Sequence, residues 1–386
     1  MKPSSRAVHA GRQLGARSPL APDLSPAAVH VYDDLDDYDA VARGERPGHY
    51  YGRNSNSNRE MLEKAVAELE GAEAGVATAS GMAALHGAIL ALAPRPVTIV
   101  ATRELYGGTL ALLRHDLEPA GYETHFVDLV DLDAVRRAVD GAGLVLAETI
   151  TNPLCRVPDI EAIASMARDR GVPVLVDNTF ATPVLCRPLE LGATAVMHSA
   201  TKYIGGHSDL VAGVIVGSAS HMAAARSRSV RTGTPLGPFD AWLALRGLRT
   251  LDVRMRRHSE NSIALARAMR SMPGVAQVHH PLLDGSQSFE VATRLLPLGA
   301  GGMMAFDLEG GRAAVQRMLS RFRLVSFAAS LGGVETTISY PEITSHRSLT
   351  PEERAELGVG PGTVRVSVGI EDADDIISDF AQALGA

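Results

Sequence analysis

Lys202 lies in the run His198-Ser-Ala-Thr-Lys-Tyr-Ile-Gly-Gly-His207, with the hydroxyls of Ser199 and Thr201 close on either side of it. A lysine amine presented in a Gly-rich turn can form a Schiff base with a carbonyl group, and neighbouring hydroxyls suit a phosphate. Most lysines are solvated surface charges, so this run alone carries little weight. One strand–helix unit earlier, Val172-Pro-Val-Leu-Val-Asp177-Asn-Thr-Phe puts a carboxylate at the end of an apolar strand. Open α/β sheets place ligand-binding groups at that end. A carboxylate for a pyridine nitrogen and an amine for an aldehyde are the pair that pyridoxal phosphate requires.

Other residues extend the pattern. Ser80-Gly81-Met82 opens a helical stretch, where unpaired N–H groups and a positive dipole end favour a phosphate. Read alone, Ser80 is an ordinary helix-capping serine. Tyr106 follows an apolar run and precedes Gly107-Gly108, a setting more common for a half-buried packing residue. Arg365 stands in an apolar strand, where a solitary cation needs an anion.

The elements that must position these groups follow from periodicity. Apolar runs at Val97–Ala101, Gly143–Ala147, Val172–Val176, Ala193–Met197 and Val211–Val216 alternate with helical stretches at 59–70, 81–92, 131–139 and 160–170. That alternation implies βαβ units and a largely parallel sheet. Ala241–Met272 reads as one long or broken helix. After Pro273-Gly274 a smaller α+β region follows, with strands at Met303–Leu308 and Thr363–Val368. Residues 1–50 show little periodicity and read as an extended arm that contributes poorly to a core.

Composition excludes other classes. A chain of 386 residues with 46% hydrophobic and 21% charged residues can bury the cores of two domains. A net charge of -7 without a basic block disfavours nucleic acid and anionic membranes as partners. Two cysteines, Cys155 and Cys186, cannot form a disulfide framework and suit a reducing cytosol. No secretory signal is read in Met1–Pro22 and no run is long and apolar enough to span a membrane, so a cytoplasmic protein is expected. No serine-hydrolase elbow, zinc motif or dinucleotide fingerprint occurs; His279-His280 and His207-x-Asp209 read as structural histidines, and no metal is expected.

The motifs Tyr51-Gly-Arg53, Ser80-Gly-Met82, Leu105-Tyr-Gly-Gly-Thr109, Asp177-Asn-Thr, His198-Ser-Ala-Thr-Lys-Tyr203, Arg246-Gly-Leu-Arg-Thr-Leu251 and Ser330-Leu-Gly-Gly-Val-Glu335 occur in order over nearly the whole chain. They resemble the Cys/Met-metabolism family of pyridoxal phosphate enzymes, which includes cystathionine γ-synthases, cystathionine γ-lyases and methionine γ-lyases. The resemblance implies an α/β chain with the type I PLP-dependent transferase (aspartate aminotransferase-like) fold. It implies an arm (1–54), a large mixed-sheet domain (55–250) and a small α+β domain (251–386). It also implies a homotetramer of dimers with shared active sites. Lys202 would hold the cofactor and then move protons; Asp177 would face the pyridine nitrogen, and Tyr106 would stack on the ring and act as acid or base. Ser80, Gly81, Met82, Ser199 and Thr201 would cup the phosphate, completed by Tyr51 and Arg53 of a neighbouring subunit. Asn152 would lie near the phenolic oxygen, and Arg365 with Ser330 would take the substrate carboxylate. Asn56-Ser57-Asn58 replaces the family's usual Asn-Pro-Thr and is expected to loosen that loop.

The substrate is less plainly marked. Cystathionine-handling relatives generally carry acids where this chain has Tyr50 and Ala329, and cystathionine γ-lyases an arginine at Ala111. The missing charges point to γ-elimination on a compact sulfur amino acid such as methionine or homocysteine. Gly108, where methionine γ-lyases typically have cysteine, keeps cystathionine γ-lyase, cystathionine γ-synthase and O-acyl-homoserine sulfhydrylase activities as alternatives. A catalytically inactive scaffold is disfavoured by the joint presence of Lys202, Asp177 and Arg365.

Overall fold

The computed structural model describes residues 1–12 and 19–385. Its first sheet has seven strands: β1 (Ala74–Thr78), β2 (Thr98–Thr102), β3 (Glu123–Val127), β4 (Leu144–Glu148), β5 (Val174–Asp177), β6 (Ala195–Ser199) and β7 (Gly213–Gly217). They lie in the order β1-β7-β6-β5-β4-β2-β3. All neighbours are parallel except at β7, which runs against both β6 and β1. Six carboxyl ends therefore share one edge, and β7 starts there.

Both faces of this sheet are covered, which is why its central strands read as continuous apolar runs. Alternation sends Val145, Val174, Val176, Val196 and Val214 to one core, and Leu144, Leu146, Leu175, Met197 and Ile215 to the other. β1 and β3 have no such run. β1 is short and rich in Ala and Gly, and edge strand β3 is largely solvent-facing.

The second sheet comprises β8 (Val275–His279), β9 (Met303–Leu308), β10 (Ser326–Phe327), β11 (Thr337–Ser339) and β12 (Thr363–Ser367), in the order β10-β11-β12-β9-β8. Val364, Val366 and Val368 join Phe306 and Phe380 in its core, so alternation turns Arg365 and Ser367 to the opposite face. The expected 241–272 helix is broken at Arg249-Thr250 into Pro238–Leu248 and Leu251–Met269.

Two expectations for the chain's beginning are corrected. Pro3–His9 is helical and buries Ala7, with Ala10 just beyond it also in the main core, so this stretch does contribute to the core. The Asn56-Ser57-Asn58 departure tethers rather than loosens. Asn56 caps the helix Ser57–Glu70, accepting from the Asn58 N–H at 3.0 Å, and donates to the Ser25 carbonyl at 2.9 Å. Asn58 accepts from the Ser25 N–H at 2.8 Å and donates to the Asp23 carbonyl at 2.7 Å. Part of the expected arm, residues 13–18, lies outside the described residues.

Candidate active site

A cavity of about 510 Å³ opens at the shared carboxyl edge of the first sheet, closed on its far side by the second sheet and the segment Ile343–Ser345. It is lined by Ser80, Gly81, Met82, Tyr106, Asn152, Asp177, Ser199, Thr201, Lys202, Ala329, Ser330 and Arg365. Thus every site residue expected from the sequence reaches one cavity except three. Tyr50, Tyr51 and Arg53 lie outside it, on the arm-proximal loop. Tyr51 is 43% exposed beneath the Arg53 guanidinium, and Tyr50 packs edge-on against Tyr38 and takes a hydrogen bond from Asn54. Ala111 is not among the lining residues either.

At the phosphate end, Ser80 caps Gly81–Leu92 by accepting from the Ala83 N–H at 3.1 Å. Among the described residues, the N–H groups of Gly81 and Met82 have no partner, as expected in a first helical turn. Gly81 is required by close approach: a Cβ there would stand 2.8 Å from Ser199 Cβ. The Thr201 hydroxyl bridges the Ala212 N–H and carbonyl, and Ser199 Oγ has no partner among the described residues. Two unpaired N–H groups beside Ser199 on a side-chain-free floor form a cradle that fits a phosphate.

Across the cavity, Asp177 Oδ1 accepts from the Thr179 N–H at 2.9 Å and from its hydroxyl, and Oδ2 has no hydrogen-bond partner among the described residues. Burial pushes the Asp177 carboxyl up, while Thr179, His198 and Lys202 oppose the shift. A buried anion with a free oxygen fits a pyridinium N–H. Lys202 Nζ donates to Ser330 Oγ at 2.6 Å. Burial, and next the Arg365 charge, lower the amine to about 8. Ser330 holds a left-handed φ of 84°. That costs a non-glycine residue of order 1 kcal/mol and marks a position over-determined by its surroundings.

Arg365 is buried. Its Nη1 donates to Asn152 Oδ1 at 3.0 Å and its Nη2 to the Ser330 carbonyl at 3.1 Å, while Nε is buried without a partner among the described residues. An unpaired buried N–H on a fork geometry fits a carboxylate ligand. Together the donor set fits pyridoxal phosphate with an amino acid beside it.

Sequence reasoning missed two groups in this cavity. Glu148 ends β4, lines the cavity and accepts from the Tyr106 N–H at 2.9 Å. Thr179, quoted only as part of a motif, orients Asp177. Closing an apolar run in the manner of Asp177 was the available signal for Glu148. Outside the cavity, buried Arg59 supports the Tyr51–Arg53 loop, donating to the carbonyls of Gly52 at 3.1 Å and Arg53 at 3.4 Å. His279 pairs with Asp307 at 2.7 Å, and among the described residues no cluster of His, Cys, Asp and Glu could hold a metal. Nor does any described helix have the length and apolarity to cross a membrane.

The family model described as "Cys/Met metabolism PLP-dependent enzyme" matches residues 4–385. The chain is 40% identical over 387 residues to an L-methionine gamma-lyase of Pseudomonas putida, covering 99% of this chain and 97% of the relative. It is 38% identical over 381 residues to an O-succinylhomoserine sulfhydrylase of Pseudomonas aeruginosa, covering 98% and 94%. Among solved structures, a cystathionine gamma synthase of Xanthomonas oryzae pv. oryzae in complex with aminoacrylate and cysteine superposes with a TM-score of 0.93. That pair is 36% identical, with 100% of this chain and 98% of that one covered.

Proposed function

The chain belongs to the Cys/Met metabolism family of PLP-dependent enzymes, and within it we propose a carbon–sulfur γ-lyase. It acts on methionine or homocysteine and releases 2-oxobutanoate, ammonia and a thiol. Pyridoxal phosphate, when bound, supplies the electron sink for carbanions beside the amino-acid nitrogen. Lys202 Nζ would hold the cofactor aldehyde and, when free, would move protons at the substrate Cα and Cβ. Its depressed basicity keeps a free amine accessible near neutral pH. Asp177 would pair with the pyridine nitrogen. The N–H groups of Gly81 and Met82 bind the phosphate with the hydroxyls of Ser80, Ser199 and Thr201. Tyr106, which lines the cavity, would cover the ring and would give the leaving sulfur its proton from Oη. Arg365, oriented by Asn152, grips the α-carboxylate beside Ser330. Tyr51 and Arg53, outside their own cavity, close the phosphate cup of a second copy within a tetramer. The arm (1–54), cofactor domain (55–250) and small domain (251–386) and a cytosolic location complete this reading.

One observation carries the substrate choice. Among the described residues, the only charged ones lining the cavity are Glu148, Asp177, Lys202 and Arg365. Lys202 and Asp177 serve the cofactor and Arg365 the α-carboxylate, while Glu148 is engaged by the Tyr106 N–H and burial and the Asp177 charge push its carboxyl well up. No charge remains for a second amino-acid end, and Ala329 and Ile343 offer apolar surface instead. A buried polar end without partners loses about 1–3 kcal/mol per missing bond, or about one to two orders of magnitude in kcat/KM. The holoenzyme should therefore release 2-oxobutanoate faster from methionine or homocysteine than from cystathionine, and Ala329→Glu should reverse part of that preference. A wide wild-type preference for cystathionine refutes the reading.

A γ-replacement reading draws on Gly108. A Cβ there would stand 2.5 Å from Tyr106 Cε1, so the ring uses space that a cysteine would claim. Thioether formation from O-acyl-homoserines outrunning keto-acid release would favour it.

A further inference from the structure

Glu148 and Asp177 are register partners at the ends of adjacent parallel strands, and both line the cavity. Partners at matched positions point to the same face across a spacing of about 4.8 Å. A buried carboxylate (Glu148) and a half-buried one (Asp177) so placed cannot both ionise cheaply, and their surroundings decide which keeps the proton. Asp177 has two donors from Thr179, with Lys202 and His198 also favouring its charge. Glu148 has one donor, the Tyr106 N–H, and Glu104 stands nearby as a further like charge. Arg365 opposes these effects on Glu148 but is the smallest of the influences acting on it.

The Glu148 bond to Tyr106 also matters mechanically. Tyr106 precedes the short helix Gly107–Leu112 and has no side-chain cap bond. Tyr106 is 47% exposed where it lines the cavity, so its backbone bonds weigh heavily in fixing it. Beyond Glu148, no partner for the Tyr106 N–H occurs among the described residues.

We propose that Glu148 is a positioning residue: a protonated carboxylic acid that anchors the backbone of Tyr106 and leaves the negative charge of the carboxyl pair on Asp177. The inference rests on the proposed roles of Tyr106 and Asp177 toward the cofactor. It assigns Glu148 no contact with the reacting atoms.

The test compares Glu148→Gln and Glu148→Ala holoenzymes with wild type in kcat, KM, circular dichroism of the cofactor's visible band, and the pH titration of that band. The wild-type band and turnover report separately on the site reading itself. Glutamine keeps the shape, the acceptor for Tyr106 and the neutral state. It should leave the titration midpoint within about 0.3 pH unit and kcat within about threefold of wild type. Alanine strands the Tyr106 N–H. It should diminish the dichroic signal and lower kcat by about tenfold or more, with a smaller change in KM. A midpoint shift of about one unit or more in the glutamine variant overturns the proposal, because it means that Glu148 carries charge. So does a glutamine variant as slow as a folded alanine variant, or an alanine variant indistinguishable from wild type. Should alanine fail to fold, the glutamine midpoint alone decides.

Discussion

Arg365→Gln should separate activity from stability. In the wild type the guanidinium is buried, donates to Asn152 Oδ1 and the Ser330 carbonyl, and keeps Nε unpaired. Burial holds its pKa below the usual arginine range, so desolvation outweighs the partners it has. Removing one partner of a buried, hydrogen-bonded charge pair costs about 3–5 kcal/mol. With the substrate carboxylate as the other partner, kcat/KM should fall by about two to four orders of magnitude. Arg365→Lys, a point charge without the fork, should recover only part. The apo protein should behave oppositely: with an under-compensated charge gone, its melting temperature should hold or rise. Arg365 is also the second cause that lowers the Lys202 amine to about 8. Its loss must raise that amine, moving the rising limb of the kcat–pH profile to higher pH. The assays are steady-state keto-acid release across pH and apo-protein thermal unfolding. A fall in kcat/KM smaller than about tenfold, or an unmoved limb, refutes the reasoning.

In wild type, kcat should rise with pH through a limb near 8, because the amine that moves protons is the deprotonated form; a flat profile from 6 to 9 (about three units) counts against Lys202. Asp177→Asn should still show the cofactor band but lose far more in kcat than in cofactor affinity, and unchanged keto-acid formation would make Asp177 structural. Mixing Arg53→Ala with Lys202→Ala protein should restore part of the activity, since a hybrid dimer would hold one site with both defects and one with neither. No rescue despite demonstrated subunit exchange would place Arg53 in its own chain's site.

What the sequence made legible followed from burial. Strands β4, β5 and β6 are covered on both faces and announce themselves as apolar runs, so the ends bearing Asp177 and Lys202 could be located. β3 exposes Glu123 and His125, and β1 is built of small residues, so neither has a periodic signal. The helix Pro3–His9 shows no apolar period because Ala7 is its one buried residue and Val8 faces solvent. Glu148 escaped notice because a carboxylate closing an apolar run also describes a strand leaving for solvent. Only the register against Asp177 distinguishes the two cases. The Asn56–Asn58 tether needed tertiary structure, because its partners, Asp23 and Ser25, lie in a stretch without periodicity.

The reversed strand β7 has a consequence for how the molecule assembles. Among the described residues β1 pairs with one strand, β7, far downstream, and Gly213 at the start of β7 faces both Thr78 and Ser199. The Ser80 cradle follows β1, and the Lys202 turn joins β6 to β7. Docking β1 onto β7 thus closes the sheet and brings the two halves of the phosphate floor together in one event. Such a long-range pairing incurs its loop-closure entropy before any contact offsets it, so it belongs among the slow steps of folding. A ligand that bridges Gly81 and Ser199 would hold that last seam shut, making the cofactor a clamp on the nascent sheet as well as a reagent.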